Sequence, residues 1–217
     1  MQDRRSKLAR FRALHEAQGA FLLPNPWDAG SAKILASLGF DALATTSAGF
    51  AFANGKTDSF ENLSHDGVMK NAAEIAAATA LPVSADLQNG FGHDAETCAD
   101  TIRLAIGAGL VGGSIEDATG IAGEPIYEIP LAADRVRAAA EVANAEGFVL
   151  TGRAENFLFD RPDLGDTITR LHAYSEAGAH VLYAPGLPDI EAIKTVCGEI
   201  DKPVNVVMGL KGPIYSV

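Results

Sequence analysis

Thr101–Asp117, TIRLAIGAGLVGGSIED, carries the pattern on which the architecture turns. An apolar helical stretch meets Gly109, where a helix needs a left-handed residue to stop. The run that follows is apolar without alternation, as expected of a strand covered on both faces, and it finishes on acids. The same unit recurs as KILASLGFDALATTS (33–47), AAAEVANAEGFVLTGR (138–153) and LHAYSEAGAHVLYAPG (171–186), with Gly39, Gly147 and Gly178 at the junctions.

Counting such runs predicts seven strands, near residues 20–24, 41–46, 82–86, 110–116, 148–152, 180–184 and 203–207. Strict alternation of strand and helix implies a parallel sheet with crossover helices. Two closures are open to it: a doubly wound sheet or a TIM-type (β/α)8 barrel. The strands end on Ser47, Asp86, Glu116, Arg153, Tyr183 and Asn205. Functional groups spread over many strand ends belong to a barrel rim, whereas an open sheet gathers them at one switch point. The segment PNPWDAGSAK after the first strand is no glycine-rich phosphate loop, so the barrel is favoured. The chain stops at VNVVMGLKGPIYSV, where a seventh helix and an eighth strand are expected. It reads as a single α/β barrel domain over 1–217 that lacks its final βα unit, a fragment of a longer product.

Composition bounds the rest. The 217 residues are 47% hydrophobic, enough for one sizeable core, and the formal charge is −11. That charge disfavours nucleic acid or an anionic membrane as partner. Cys98 and Cys197 form no C-x-x-C pair, and neither a secretory leader nor a membrane-length apolar run is present, which reads as a reduced, cytoplasmic protein.

Side-chain parity places Ser84, Asp86 and Gln88 on one face of their strand, with Ala85 and Leu87 towards the helices. The same rule groups Gly112, Ser114 and Glu116 against Val111, Gly113 and Ile115. It also groups Val149, Thr151 and Arg153, and it turns Asp117 outward. Asp86, Glu116 and Arg153 in one mouth need compensation for desolvation, and a hard divalent cation would supply it. Arg153 suits a bidentate grip on a substrate carboxylate or phosphonate. The plainer readings are a polar rim of ordinary salt bridges, Arg153 paired with Glu155 or Asp86, and Ser47 as a turn residue.

Taken together, ATTSAG, KTDSF, SADLQNGFG, GSIED, TGRAENFL and AGAHVLYAPG resemble the isocitrate lyase/phosphoenolpyruvate mutase superfamily. The resemblance implies a (β/α)8 barrel, usually a homo-oligomer such as a dimer or tetramer, binding Mg²⁺ (or Mn²⁺) at its rim. It implies small 2-oxo or 2-hydroxy di- and tricarboxylates, or phosphonopyruvate, as substrates. Asp86 matches the direct metal ligand, and Asp58 and Glu116 match acids that hold the ion's waters. Gln88 stands where relatives place a second acid of DxDxGxG. Ser47, Ala48 and Gly49 match the turn that holds the substrate carboxylate, Asn205 completes the substrate set, and Arg153 matches the arginine that stabilises the enolate.

The departures shape the expectation. The loop ATGIAGEPIYEIP has neither the Lys-Lys-Cys-Gly-His of the lyases nor the lysine and asparagine of the mutases. Pro185 and Gly186 stand where relatives carry histidine or glutamate. Substitute acid/base groups would be His93, Glu124, Tyr127 or Glu128, each otherwise a solvated loop residue. Decarboxylation needs no base to deprotonate a hydroxyl, so a carbon–carbon lyase of decarboxylase or retro-aldol type is the leading expectation. Phosphonopyruvate mutase or hydrolase chemistry and a non-catalytic dicarboxylate-binding barrel are the alternatives.

Overall fold

Six parallel strands lie side by side in chain order, each preceded by a helix. The computed structural model describes residues 3–208. In it α1 (Arg4–Glu16) and α2 (Ala29–Ser37) precede β1 (Leu43–Ala44), and α3 (Ser47–Ala53) and α4 (His65–Ala78) precede β2 (Val83–Asp86). Then come α5 (Ala95–Gly107), β3 (Gly112–Glu116), α6 (Ile129–Glu146) and β4 (Val149–Arg153). A 3₁₀ turn at Asn156–Phe159 leads to α7 (Leu164–Glu176), β5 (Val181–Tyr183), α8 (Ile190–Glu199) and β6 (Val204–Asn205).

Local chemistry sets these boundaries. Asp28, Ser64, Asp94, Asp163 and Asp189 each accept a hydrogen bond from a first-turn N–H of the helix they open. The junction glycines behave as their position requires: Gly39, Gly109 and Gly178 take φ of +88°, +88° and +106°. Leu87, Ile102, Ile115, Val136, Phe148, Leu150, Leu171 and Tyr174 fill the layer between sheet and helices.

The expected strand at 20–24 is corrected. That segment runs beside β1 but shares one backbone bond with it, Ala44 N–H to the Pro24 carbonyl at 3.0 Å. Pro24 has no N–H to return, so no ladder forms. The remaining six predicted strands are present, shorter at both edges of the sheet. The expected absence of an eighth strand concerns residues 209–217, which lie outside the described residues.

The sheet curls around a floor. Phe11 of α1 packs with Ala42, Val111, Val149 and Val181, contributed at or just before β1, β3, β4 and β5, while Phe21 and Leu23 close the side. Side chains from four strands can meet one ring only if the sheet bends round it. Val111, expected on the helix side, joins this floor because it precedes the strand proper. Cations tie the floor down: Arg4 Nε donates to the Leu110 carbonyl at 2.9 Å, and Lys7 Nζ to the Ala76 and Thr79 carbonyls at 3.2 and 2.8 Å. Gly112 leaves room for the plug, since a Cβ there would stand 2.7 Å from Phe11 Cε1 and 3.0 Å from the Val149 carbonyl. Gly112→Ala is therefore expected to lower stability by about 1–3 kcal/mol through overpacking, read as a lower urea midpoint.

Candidate active site

At the opposite end of the sheet the register lines up polar groups. Glu116 pairs with Arg153, Arg153 with Tyr183, and Tyr183 with Asn205, while Asp86 sits one step lower opposite Ser114. Parallel strands with a shared inward face thus bring together side chains up to 119 positions apart in sequence, from Asp86 to Asn205.

Arg153 is the hub. Its Nη1 lies 3.5 Å from Glu116 Oε2 and 3.9 Å from Asp86 Oδ1, and its Nε donates to Glu155 Oε1. The first two are ion pairs beyond hydrogen-bond length. Among the described residues, the guanidinium makes its hydrogen bond through Nε to Glu155, which leaves the Nη donors free of hydrogen bonds. Its Cζ lies over the Tyr183 ring, 4.9 Å from the centroid. Burial by itself would lower the Arg153 pKa, but Glu116, Glu155 and Asp86 push it well upward, so the cation persists. Burial raises the Glu116 and Glu155 carboxyls, against the pull of Arg153.

Asp86 is held in place from both sides. Its Oδ2 accepts from Ser47 N–H at 2.9 Å and its Oδ1 from Gln88 N–H at 3.2 Å. Ser47, Ala48 and Gly49 form the first turn of α3 rather than a bare turn, and Thr46 caps it through Gly49 N–H at 3.1 Å. Asp58 comes in on the loop before α4 and keeps an exposed flank. Burial of its other side and then the Asp86 charge raise its carboxyl, while the Ser47 hydroxyl pulls it back. Phe60, two residues on, rests against Gly120, so the Asp58 loop touches the loop after β3. The expected residues Ser47, Asp58, Asp86, Glu116 and Arg153 are thus joined by contacts or mutual charge effects, with Asn205 in register beside them.

Gln88 takes φ +49°, and its buried Oε1 has no hydrogen-bond partner. Three carboxylates face one guanidinium, which leaves negative charge unbalanced in a mostly buried mouth. Among the described residues no group of three or more His, Cys, Asp or Glu is placed to hold a metal ion by itself. The donors present suit a cation that keeps most of its water and takes one carboxylate directly, as Mg²⁺ does.

Behind the mouth lies a second network. Asp117 faces the helix layer, as parity requires, and is 2% exposed. It accepts from Tyr174 Oη at 2.5 Å, Glu155 N–H at 2.8 Å and Arg170 Nη1 at 3.1 Å. Asp117 therefore fixes the backbone that carries Glu155, and Glu155 in turn holds Arg153.

The phosphoenolpyruvate phosphomutase family model matches residues 11–216. The chain belongs to that family. It is thereby a member of the isocitrate lyase/phosphoenolpyruvate mutase superfamily, whose enzymes are lyases and mutases. A solved chain from Burkholderia cenocepacia J2315, provisionally described as a lyase/mutase, is 53% identical with a TM-score of 0.95. That likeness covers 98% of this chain and 76% of the other. The crystal structure of 2,3-dimethylmalate lyase is 25% identical, with a TM-score of 0.86 over 100% of this chain and 76% of its own. Among curated relatives, the 2-methylisocitrate lyase of Escherichia coli K12 is 24% identical over 200 residues, spanning 89% of this chain and 67% of that enzyme. The curled six-stranded half-barrel is the family's TIM-type α/β fold.

Within this family member the loop after β3 is a compact hairpin. Ala118 bridges Ile126, and Thr119 N–H donates to the Pro125 carbonyl at 2.9 Å. Of the substitute acid/base groups, Glu124 and Glu128 are exposed. His93 Nδ1 meets Tyr127 Oη at 2.5 Å, but the Tyr127 ring is packed in the helix layer. Glu155 was legible only as a possible salt-bridge partner two residues after Arg153, and the Asp117–Tyr174–Arg170 network gave no sequence signal beyond parity. Both cysteines are free, Cys98 buried and Cys197 exposed. No helix among the described residues is long and apolar enough to cross a membrane.

Proposed function

We propose that the protein is a divalent-cation-dependent carbon–carbon lyase acting on a small 2-oxo or 2-hydroxy di- or tricarboxylate through an enolate. The observation that carries this reading is Arg153, anchored at Nε by Glu155, with an Nη edge that makes looser ion pairs but no hydrogen bond among the described residues. A fixed guanidinium with open donors grips a carboxylate in two places and faces the oxygen on which enolate charge develops. Asp86 would hold the cation directly, with Asp58 and Glu116 on its waters, while the Gln88 amide oxygen is sealed from solvent. When bound, the cation polarises the 2-oxo group as a Lewis acid. Ser47, at the start of α3, would orient the far carboxylate, and Asn205 would flank it. The lyase names of two relatives support the reaction class.

The test is product release from a panel of such acids, oxaloacetate and alkylated malates included, with Mg²⁺ or Mn²⁺ and with EDTA. Turnover of at least one acid, lost on chelation and restored by metal, is expected. Absence of metal-dependent turnover across the panel would overturn the reading. Phosphorus NMR with phosphonopyruvate would detect the mutase or hydrolase alternative. Oxalate binding in calorimetry without any turnover would mark a binding barrel.

A further inference from the structure

We propose that Tyr183 is the proton donor of this site, delivering its phenolic hydrogen to the carbon of the enolate left after bond cleavage. The inference rests on the enolate chemistry proposed above and names the residue that completes it.

A carbon–carbon cleavage that ends in an enolate must end with a proton on carbon. The carboxyls of the mouth are directed at the guanidinium, since Asp86, Glu116 and Glu155 are the ionic partners of Arg153. The Ser47 hydroxyl is turned to Asp58. The hairpin after β3 offers the exposed Glu124 and a Tyr127 whose ring is packed away in the helix layer. His93 is likewise engaged with Tyr127.

Tyr183 differs from all of these. It ends β5 in register with Arg153 on one side and Asn205 on the other, at the level of the guanidinium. Arg153 lies across its ring at 4.9 Å, so the phenol is directed by the same cation that would hold the substrate. At 9% exposure the residue is sheltered from bulk water. No hydrogen bond engages its hydroxyl among the described residues, and that oxygen is not one of the sealed, unsatisfied atoms of the fold. An unengaged O–H at a sheltered rim is a donor awaiting an acceptor. Burial, only partly offset by Arg153, pushes its pKa up to about 12, so the proton is in place at neutral pH.

The step balances. In a decarboxylation the bond to the departing carboxylate breaks, CO₂ leaves, and the electron pair enters the enolate. The Tyr183 Oη–H bond then breaks as the new C–H bond forms, and the phenolate regains a proton from water. General acid catalysis of this kind contributes about 10²–10⁴-fold.

The experiment uses the full chain with Mg²⁺ and a probe that requires no carbon–carbon cleavage: pyruvate in D₂O, with loss of methyl protons followed by proton NMR. By microscopic reversibility the same phenol must mediate that exchange. Tyr183→Phe keeps the ring beneath Arg153 and removes only the hydroxyl. The parent protein is expected to exchange pyruvate protons, and Y183F to do so about 100-fold more slowly. Oxalate affinity by calorimetry should stay within about twofold. Equal exchange by parent and variant would overturn the role of Tyr183 and leave the lyase reading standing. No exchange by the parent would also overturn it. A loss of oxalate affinity that accounts for the slower exchange would reduce Tyr183 to a structural support and overturn it too. Exchange by the parent with no acid cleaved would sink the lyase reading and leave Tyr183 as the donor.

Discussion

Arg153→Lys is expected to lower kcat on any acid the protein cleaves by about 100- to 1,000-fold, the usual range for removing one fixed donor to a developing oxyanion. The substitution keeps the positive charge, so the electrostatic balance with Glu116, Glu155 and Asp86 is preserved to first order. What it removes is geometry. The guanidinium bonds Glu155 through Nε while its Nη1 stays 3.5 Å from Glu116 and 3.9 Å from Asp86. A lysine ammonium is a single point and cannot be anchored on one side while presenting two parallel donors on the other. It would also lose the guanidinium carbon placed over the Tyr183 ring. Steady-state kinetics with saturating metal, alongside a circular-dichroism melt, checks the expectation. A kcat within about tenfold of the parent would show that a simple positive charge suffices.

Asp117→Ala is expected to destabilise the fold by about 3–5 kcal/mol, the range for breaking a buried ion pair from one side. Its two carboxylate oxygens serve Tyr174, Arg170 and the Glu155 amide within 2.5–3.1 Å. Alanine would strand a tyrosine hydroxyl and a backbone N–H in the protein interior, and it would leave Arg170 with only the peripheral Asp166 as acidic partner. Asp117→Asn keeps shape and two acceptor lone pairs, so it should fall well short of the alanine variant. Urea titration of both separates the two contributions. A loss below about 1 kcal/mol for Asp117→Ala would show that the network adapts. Because Asp117 holds the Glu155 backbone, the asparagine variant should also turn over more slowly while remaining folded.

The parts of the fold that were legible are those written into local chemistry. Gly39, Gly109, Gly147 and Gly178 stop helices wherever the sequence sets them before an apolar run, and all four have positive φ. Parity along a strand is local too, which is why Asp86, Glu116 and Arg153 could be placed on one face and Asp117 on the other. The segment 20–24 misled because Phe21 and Leu23 do enter the floor, as strand residues would, while Pro24 withholds the N–H that a ladder needs. The helix α1 left no sign of its role in the floor. Its sequence reads as charged throughout, yet Lys7 and Phe11 are its buried residues, one spent on distant carbonyls and one on the floor. Tyr183 was legible as a strand end and Glu155 as a possible partner of Arg153, but their places around the guanidinium come from register and contact, which no pattern along one strand encodes.

The floor built by α1 has a consequence for the order of synthesis. Phe11 leaves the ribosome first, but its partners Val149 and Val181 follow some 140 and 170 residues later. Until they emerge, the apolar stripe of the first helix has nothing native to cover it, and at typical elongation rates that interval lasts on the order of ten seconds. The floor therefore closes late in synthesis, after the residues of β4 and β5 have emerged.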